Sequence, residues 1–170
     1  MATVRHFLDP EGAQFLGSAF PALRKTNGSN YPVAGLAFDA GATDEAAFWK
    51  FIAESYGSGN LTVDIFWYAD AASSGTVVWE AQIACITPDT DTQDIETDSR
   101  ATLNYVQDTH LGTTGQRLHK ASITLSNLDS IASGDFCTLR VARDSNDTNA
   151  SDSMSGEAIV VMVEVSYSDA

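Results

Sequence analysis

The stretch YGSGNLTVDIFWYADAASSGTVVWEAQIACI, Tyr56 to Ile86, decides the fold class. Leu61, Val63, Ile65 and Trp67 share one parity, and Val77, Trp79, Ala81, Ile83 and Cys85 share another. Successive strand residues face opposite sides, so each set marks a core-facing edge of a β-strand. The glycine-containing segments YGSGN and ADAASSG read as turns, because glycine supplies the positive φ that tight connections need. The expectation is a three-stranded meander.

Working outward, further strands are expected at Val33–Phe38, Ala101–Gln107, Arg117–Leu125, Phe136–Arg143 and Glu157–Tyr167. Between Phe38 and Tyr56, Thr43 can cap a helical turn with Asp44 and Glu45 in its first turn, leading into an alternating run of Ala47, Trp49, Phe51 and Ala53. About eight strands with no long helix read as an all-β antiparallel sandwich of jelly-roll topology, residues 33–170. The polar loop Thr87–Arg100 is expected to cross between sheets, as a Greek key requires. In the last strand Ile159, Val161, Val163, Val165 and Tyr167 are read as inward, which leaves Val160 and Met162 on a second face.

Residues 1–32 lack sustained alternation, and Pro10, Gly12, Gly17 and Pro21 interrupt any helix. Phe7, Leu8, Phe15, Leu16, Phe20 and Leu23 still need cover. Two readings stand: a strap over this protein's own core, or an irregular N-terminal arm that packs on a neighbour.

The 170 residues suffice for one domain with a real core. A formal net charge of −14 excludes a duplex-binding surface, which needs clustered Lys and Arg, and disfavours docking on anionic lipid. No apolar run approaches bilayer-spanning length, and the start MATVRHFLDPEG lacks the pattern of a secretory signal. Folding in a host cytosol is therefore expected, with Cys85 and Cys137 as buried free thiols rather than a disulfide.

Chemistry is sparse. Asp64 and Glu80 lie off the core parity and could flank a groove as an acid and base, although solvated charges account for them more simply. His6, His110 and His119 lack metal-ligand spacing, and the last two read as surface or capping residues. Asp144, Asn146, Asp147 and Asp152 offer oxygen ligands of the kind calcium takes, without the glycine and terminal glutamate of an EF-hand loop. A plain solvated turn is the competing reading, and no cofactor is expected. Phe66 and Tyr68 lie off the core parity, where ring faces can stack on saccharides.

The succession ESYGSGNLTVDIFWYAD, GTVVWEAQI, DTHLGTT, RLHKASITLSNLDSIASGDFCTLRVARD and AIVVMVEVSYSD, spanning Leu36 to Ser168 almost entirely, resembles jelly-roll-like phage virion proteins: head-decoration, tail-fibre and tail-tip modules. The resemblance implies a non-enzymatic structural protein of the virion, a homotrimer docked on a major capsid or tail protein. A capsid decoration or cement role is the leading expectation, with Phe7, Leu8, Phe15, Leu16, Phe20, Leu23, Val160 and Met162 as contact residues. The alternative is a receptor- or carbohydrate-binding module of a tail fibre or tail tip.

Overall fold

A computed structural model of the chain describes residues 2–41 and 43–170. Its strands are β1 (Thr3–Leu8), β2 (Ala22–Asn27), β3 (Pro32–Phe38), β4 (Ala46–Ile52), β5 (Tyr56–Ala69), β6 (Thr76–Ile86), β7 (Asn104–Thr109), β8 (His119–Leu125), β9 (Phe136–Arg143) and β10 (Ala158–Asp169). They form two antiparallel sheets. The first runs β2-β3-β10-β5-β8, with β1 added to β10, and the second runs β4-β9-β6-β7. This is the expected all-β jelly-roll sandwich.

Parity builds the core. Leu61, Val63, Ile65 and Trp67 from β5, with Ala121, Ile123 and Leu125 from β8, face Trp79, Ala81 and Ile83 from β6 and Leu139 and Val141 from β9. The Trp67 and Trp79 rings meet edge-on at 6.1 Å, and Phe38 meets Trp79 edge-on at 5.3 Å. Aromatic pairs in this geometry add to the area they bury.

Several expectations are corrected. β5 and β6 are consecutive but lie in different sheets, so ADAASSG carries the chain across the sandwich instead of closing a hairpin. Gly75, at φ 99°, enters β6 so close to the Met154 backbone that a Cβ there would stand 2.8 Å from Met154 Cα. YGSGN belongs to the start of β5. Between β3 and β4 no helix forms among the described residues, and the alternation of β4 places Ala47, Trp49 and Phe51 in the core. The 87–103 connection joins paired strands of one sheet, β6 and β7, so it is not a crossover. It folds instead over the outer face of the second sheet, where the Arg100 guanidinium covers the Phe48 ring at 4.7 Å.

The leading segment differs most from expectation. β1 pairs with β10 from Thr3↔Ser168 to Leu8↔Val163, and β2 pairs with β3 from Ala22↔Ala37 to Asn27↔Pro32. The expected division between an arm, 1–32, and a sandwich, 33–170, thus runs through the β2–β3 hairpin. The link between β1 and β2 lies along the edge of β4 through a Gln14↔Phe48 bridge and an Ala46 N–H donated to Ala19 O at 3.0 Å. Strand pairing supplies the regularity that the residue pattern does not announce.

β3 and β1 share one edge of β10 end to end. Ala158–Val160 pair with β3, and Val163–Ser168 pair with β1. A bulge between Val160 and Met162 marks the change of partner and shifts parity by one residue. Val160 is therefore buried in the core and is not an outward contact residue.

Cys85 and Cys137 are register partners on β6 and β9, with Cα atoms 4.3 Å apart, and they are joined as a disulfide. The expectation of free thiols is corrected. Directly opposed positions in antiparallel strands bring the two Cβ atoms within bridging reach.

Candidate functional site

The outer faces of the two sheets are unlike. That of the second is overlaid by the 87–103 loop and by the 144–157 loop, which is tied to Glu80 through Asn149. On the first sheet, because alternate β5 residues are buried, Thr62, Asp64, Phe66 and Tyr68 stand outward and half-exposed. Register places Met162 beside Phe66 and Ile159 beside Tyr68. Asp64 accepts from Lys120 Nζ at 2.9 Å and Ser122 Oγ at 2.5 Å, and buried Glu164 pairs with Arg5. This face combines aromatic rings with hydroxyls and opposite charges.

At one end the face deepens into a cleft of about 600 Å³. One wall is the tip of the β2–β3 hairpin, with Thr26, Ser29, Asn30 and Tyr31, and the floor holds Val33, Tyr68 and the bulged Val161. The other wall is Asp70 with Gln116 and Leu118 from the loop before β8. Tyr31 is 71% exposed. Gly28 lets the hairpin turn, since a Cβ there would stand 2.6 Å from Tyr31 O.

The walls are braced from outside the cleft lining. Arg24 of β2 pairs with Asp70 at 3.0 Å and with Glu157, tying the hairpin to the end of β5. Gln116 Nε2 donates to Asp70 O, and the Ala69 N–H donates to Gly115 O at 3.1 Å. Two tyrosine faces with hydroxyl, amide and carboxylate groups around them suit a ligand that is apolar on its ring faces and polar on its rim.

Behind this wall lie two histidines read from sequence as surface residues. His110 and His119 are both buried, with ring centroids 4.5 Å apart, and His119 stacks on Trp67 at 4.6 Å. Burial and the neighbouring His110 lower the His119 pKa from its usual 6.5, although Asp108 acts the other way. Trp67 Nε1 donates to Asp108 Oδ2 at 2.8 Å, committing that carboxylate.

The calcium residues proposed from sequence already have protein partners. Asp144 accepts from the Thr148, Asn149 and Ala150 N–H groups at 2.9, 2.7 and 3.3 Å. Asp152 takes Arg143, Asp147 accepts from the Asp152 N–H, and Asn146 Nδ2 donates to Asp44 Oδ2 at 2.9 Å. A different trio, Asp44, Glu80 and Asp144, brings one carboxylate oxygen each within 4.8 Å of the others. Arg140 Nη1 at 2.9 Å and Asn149 Nδ2 at 2.5 Å already compensate Glu80. Oxygen ligands of this kind suit a hard cation. Sequence spacing could not find the trio, because its members come from separate parts of the chain.

The expected contact residues scatter. Leu8 and Val160 are core, Met162 lies half-exposed on the outer face of the first sheet, and Phe7 projects from β1 opposite Glu164. Phe15, Leu16, Phe20 and Leu23 are exposed along the leading segment. Asp64 and Glu80 occupy the outer faces of opposite sheets, on the two sides of the sandwich, and cannot act as an acid and base on one bond.

No protein-family model matches the chain, and no curated protein matches it. Among solved structures, a mannan-recognising carbohydrate-binding module, TmCBM27, aligns over 99% of both chains with a TM-score of 0.51 at 10% identity. The C-terminal CBM6 of LamC, a laminarinase from Zobellia galactanivorans, aligns over 98% of this chain and 100% of its own, with a TM-score of 0.44 and 10% identity. A family 11 carbohydrate-binding module from Clostridium thermocellum, in complex with a β-1,3-1,4-mixed-linked tetrasaccharide, covers 96% of this chain and 87% of its own, with a TM-score of 0.45 and 7% identity. The likeness to TmCBM27 shows a shared β-sandwich fold. The capsid-decoration expectation is corrected on this finding: the structure aligned over the whole chain, TmCBM27, is a carbohydrate-binding module and not a virion protein. The leading segment meant to dock elsewhere is also stitched into its own first sheet.

Proposed function

We propose that the chain is a non-catalytic carbohydrate-binding module whose ligand lies in the cleft between Tyr31 and Tyr68. The observation that carries this reading is the cleft itself. Two tyrosines line a volume of about 600 Å³ together with Thr26, Asn30, Asp70 and Gln116. A sugar ring stacks its C–H face on a tyrosine, while its hydroxyls exchange water for the amide, carboxylate and hydroxyl groups of the rim. Phe66, one outward step along β5, extends the stacking surface. The fold shared with TmCBM27 is consistent with this use, and the Cys85–Cys137 bridge favours work in an oxidising compartment.

Affinity electrophoresis and calorimetry on a panel of soluble polysaccharides test the proposal. Retardation by at least one neutral glycan is expected, and Tyr68→Ala or Tyr31→Ala is expected to weaken it about tenfold or more, the scale of a lost aromatic anchor. A panel without a single binder, or binding indifferent to both substitutions, refutes it.

A second reading is self-association, up to a homotrimer, through exposed Phe15, Leu16, Phe20 and Leu23, with a Phe15–Phe20 ring contact at 5.6 Å. Sedimentation of the chain and of Leu16→Ser decides it. A monomer at all concentrations ends that reading.

A further inference from the structure

The wall of the cleft that carries Gln116 and Leu118 belongs to loop 110–118, and this loop is folded around a buried imidazole. The Gly112 N–H donates to His110 Nδ1 at 3.0 Å, so Nδ1 carries no proton. The proton is on Nε2, which faces Gly115 O at 3.2 Å. One neutral tautomer satisfies both ends of the loop. Gly112 and Thr113, at φ 75° and 78°, hold the left-handed turn between them.

His119, from β8, lies against His110 and leaves its buried Nε2 without a hydrogen-bond partner. The charged groups that face the pair are Asp108 from β7, already engaged by the Trp67 indole of β5, and Arg117 from the loop itself. Arg117 is cationic and donates to Leu111 O at 3.1 Å, so it adds repulsion to any imidazolium. Gly75, just before β6, contributes a carbonyl that accepts the His110 backbone N–H at 2.9 Å. A proton on His110 Nδ1 would set N–H against N–H at Gly112, and a proton on His119 would place a charge where only one committed carboxylate is near.

We propose that the His110–His119 pair is an acid-sensitive latch on the cleft: neutral, it holds loop 110–118 as a wall, and protonated, it frees the loop and releases the ligand. The ligand half of this inference rests on the carbohydrate-binding reading of the cleft, whereas the latch half stands on the loop alone. A captured saccharide would be retained at neutral pH and let go in a mildly acidic setting. The lowered His119 pKa agrees in direction, placing the transition below pH 6.5.

Amide exchange of the full chain, followed by NMR from pH 7.5 to 5.0 and corrected for intrinsic exchange, tests the latch. Opening at Gly112 and Arg117 is expected to rise by up to about tenfold per pH unit for each proton taken up, while Val63 and Ile65 of β5 stay protected. His110→Asn retains an acceptor near Gly112 N–H without titrating, and His119→Phe keeps the stack on Trp67. Either is expected to flatten the pH profile. In parallel, retention on soluble mannan and mixed-linkage β-glucan gels is compared at pH 7.5 and 5.5, with about tenfold loss expected for the natural sequence and none for His110→Asn. Opening that is flat with pH, or equally steep in both variants, overturns the latch. Absence of retention at pH 7.5 on every glycan overturns the carbohydrate reading instead, whatever the loop does.

Discussion

Asp152 grips Arg143 through two parallel hydrogen bonds, Nε to Oδ2 at 2.8 Å and Nη2 to Oδ1 at 2.7 Å, with the side chains 2% and 0% exposed. The remaining donors of the guanidinium reach Phe38 O at 3.1 Å, Gly156 O at 2.7 Å and Met154 O at 2.5 Å. All five N–H groups of the arginine are thus used. Arg143 closes one end of the core and pins the 144–157 loop to β3. Removing either partner strands a buried charge, which costs about 3–5 kcal/mol. Arg143→Met and Asp152→Ala are each expected to lower stability by that amount in urea unfolding. Arg143→Lys is expected to rescue little, because an ammonium lacks the planar fork. A loss below about 1 kcal/mol would refute this account of the loop.

The Cys85–Cys137 bridge closes a chain segment with a sequence separation of 52 and joins β6 to β9 in the middle of the second sheet. Chain entropy alone assigns such a loop about 4 kcal/mol, and measured bridges typically reach about 2–4. Dithiothreitol, or the Cys85→Ser and Cys137→Ser pair, is expected to lower Tm by roughly 5–15 °C at this chain length. Equal Tm values for oxidised and reduced protein would show that the bridge adds nothing to packing already in place.

Much of the fold is legible because β5, β6, β8 and β9 each bury one face, which leaves a period of two in the residues. β1 and β2 are not legible for the same reason in reverse: ALRKTN lies on a sheet edge with little burial on either side, so nothing selects its parity. In β10 the run IVVMV is apolar throughout, and the bulge at Val161 flips the pattern without a mark in the sequence. Which sheet receives each strand is also hidden, since a crossing loop such as ADAASSG uses the same residues as a hairpin. Tyr68 and Phe66 could be picked out as off-parity aromatics. Tyr31, Asp70 and Gln116 could not, because only the arrival of the β2–β3 hairpin and loop 110–118 at one end of β5 makes them neighbours.

Global stability is expected to fall as pH drops from 7.5 toward 5.5. Burial lowers the pKa of His6, with Glu54 acting against it, and burial with His110 lowers that of His119. The unfolded chain takes up these protons near pH 6.5 while the folded chain resists them, so the unfolded state binds more protons in that window. Stability is thus complete above about pH 6.5 and is lost progressively below it. Glu45 runs the other way: burial raises its pKa, against the Asp39 N–H hydrogen bond that lowers it, and the Asp39 and Glu157 charges add to the rise. Its contribution is lost as pH climbs above the ordinary glutamate value, and it belongs to a more acidic window. Urea midpoints at pH 7.5, 6.5 and 5.5 measure the histidine effect, and His119→Phe is expected to remove part of the slope. A midpoint that rises on acidification would reverse the sign argued here.

On the proposed carbohydrate-binding reading, the charge of the cleft sets which saccharides enter. Asp70 lines it, Glu157 stands behind it, and Arg24 is shared between the two carboxylates, leaving the group net negative in a chain of net charge −14. A uronic acid ring offers the same stacking face as a neutral hexose but brings a carboxylate toward Asp70. Like charges about 4 Å apart near a protein surface oppose each other by several kcal/mol before screening. Neutral glycans are therefore expected to bind at least about tenfold more tightly than uronate polymers of matched linkage at 50 mM salt, since each 1.4 kcal/mol is a factor of ten. Asp70→Asn is expected to narrow the gap by admitting the uronates, while its amide oxygen keeps one acceptor for the hydroxyls of a neutral ligand. Because the screening length falls from about 10 Å at 0.1 M to 3 Å at 1 M, raising the salt should narrow it in the natural sequence as well. Discrimination that ignores both Asp70→Asn and salt would mean that shape alone selects the ligand, and that Asp70 is only the brace Arg24 needs to hold the hairpin.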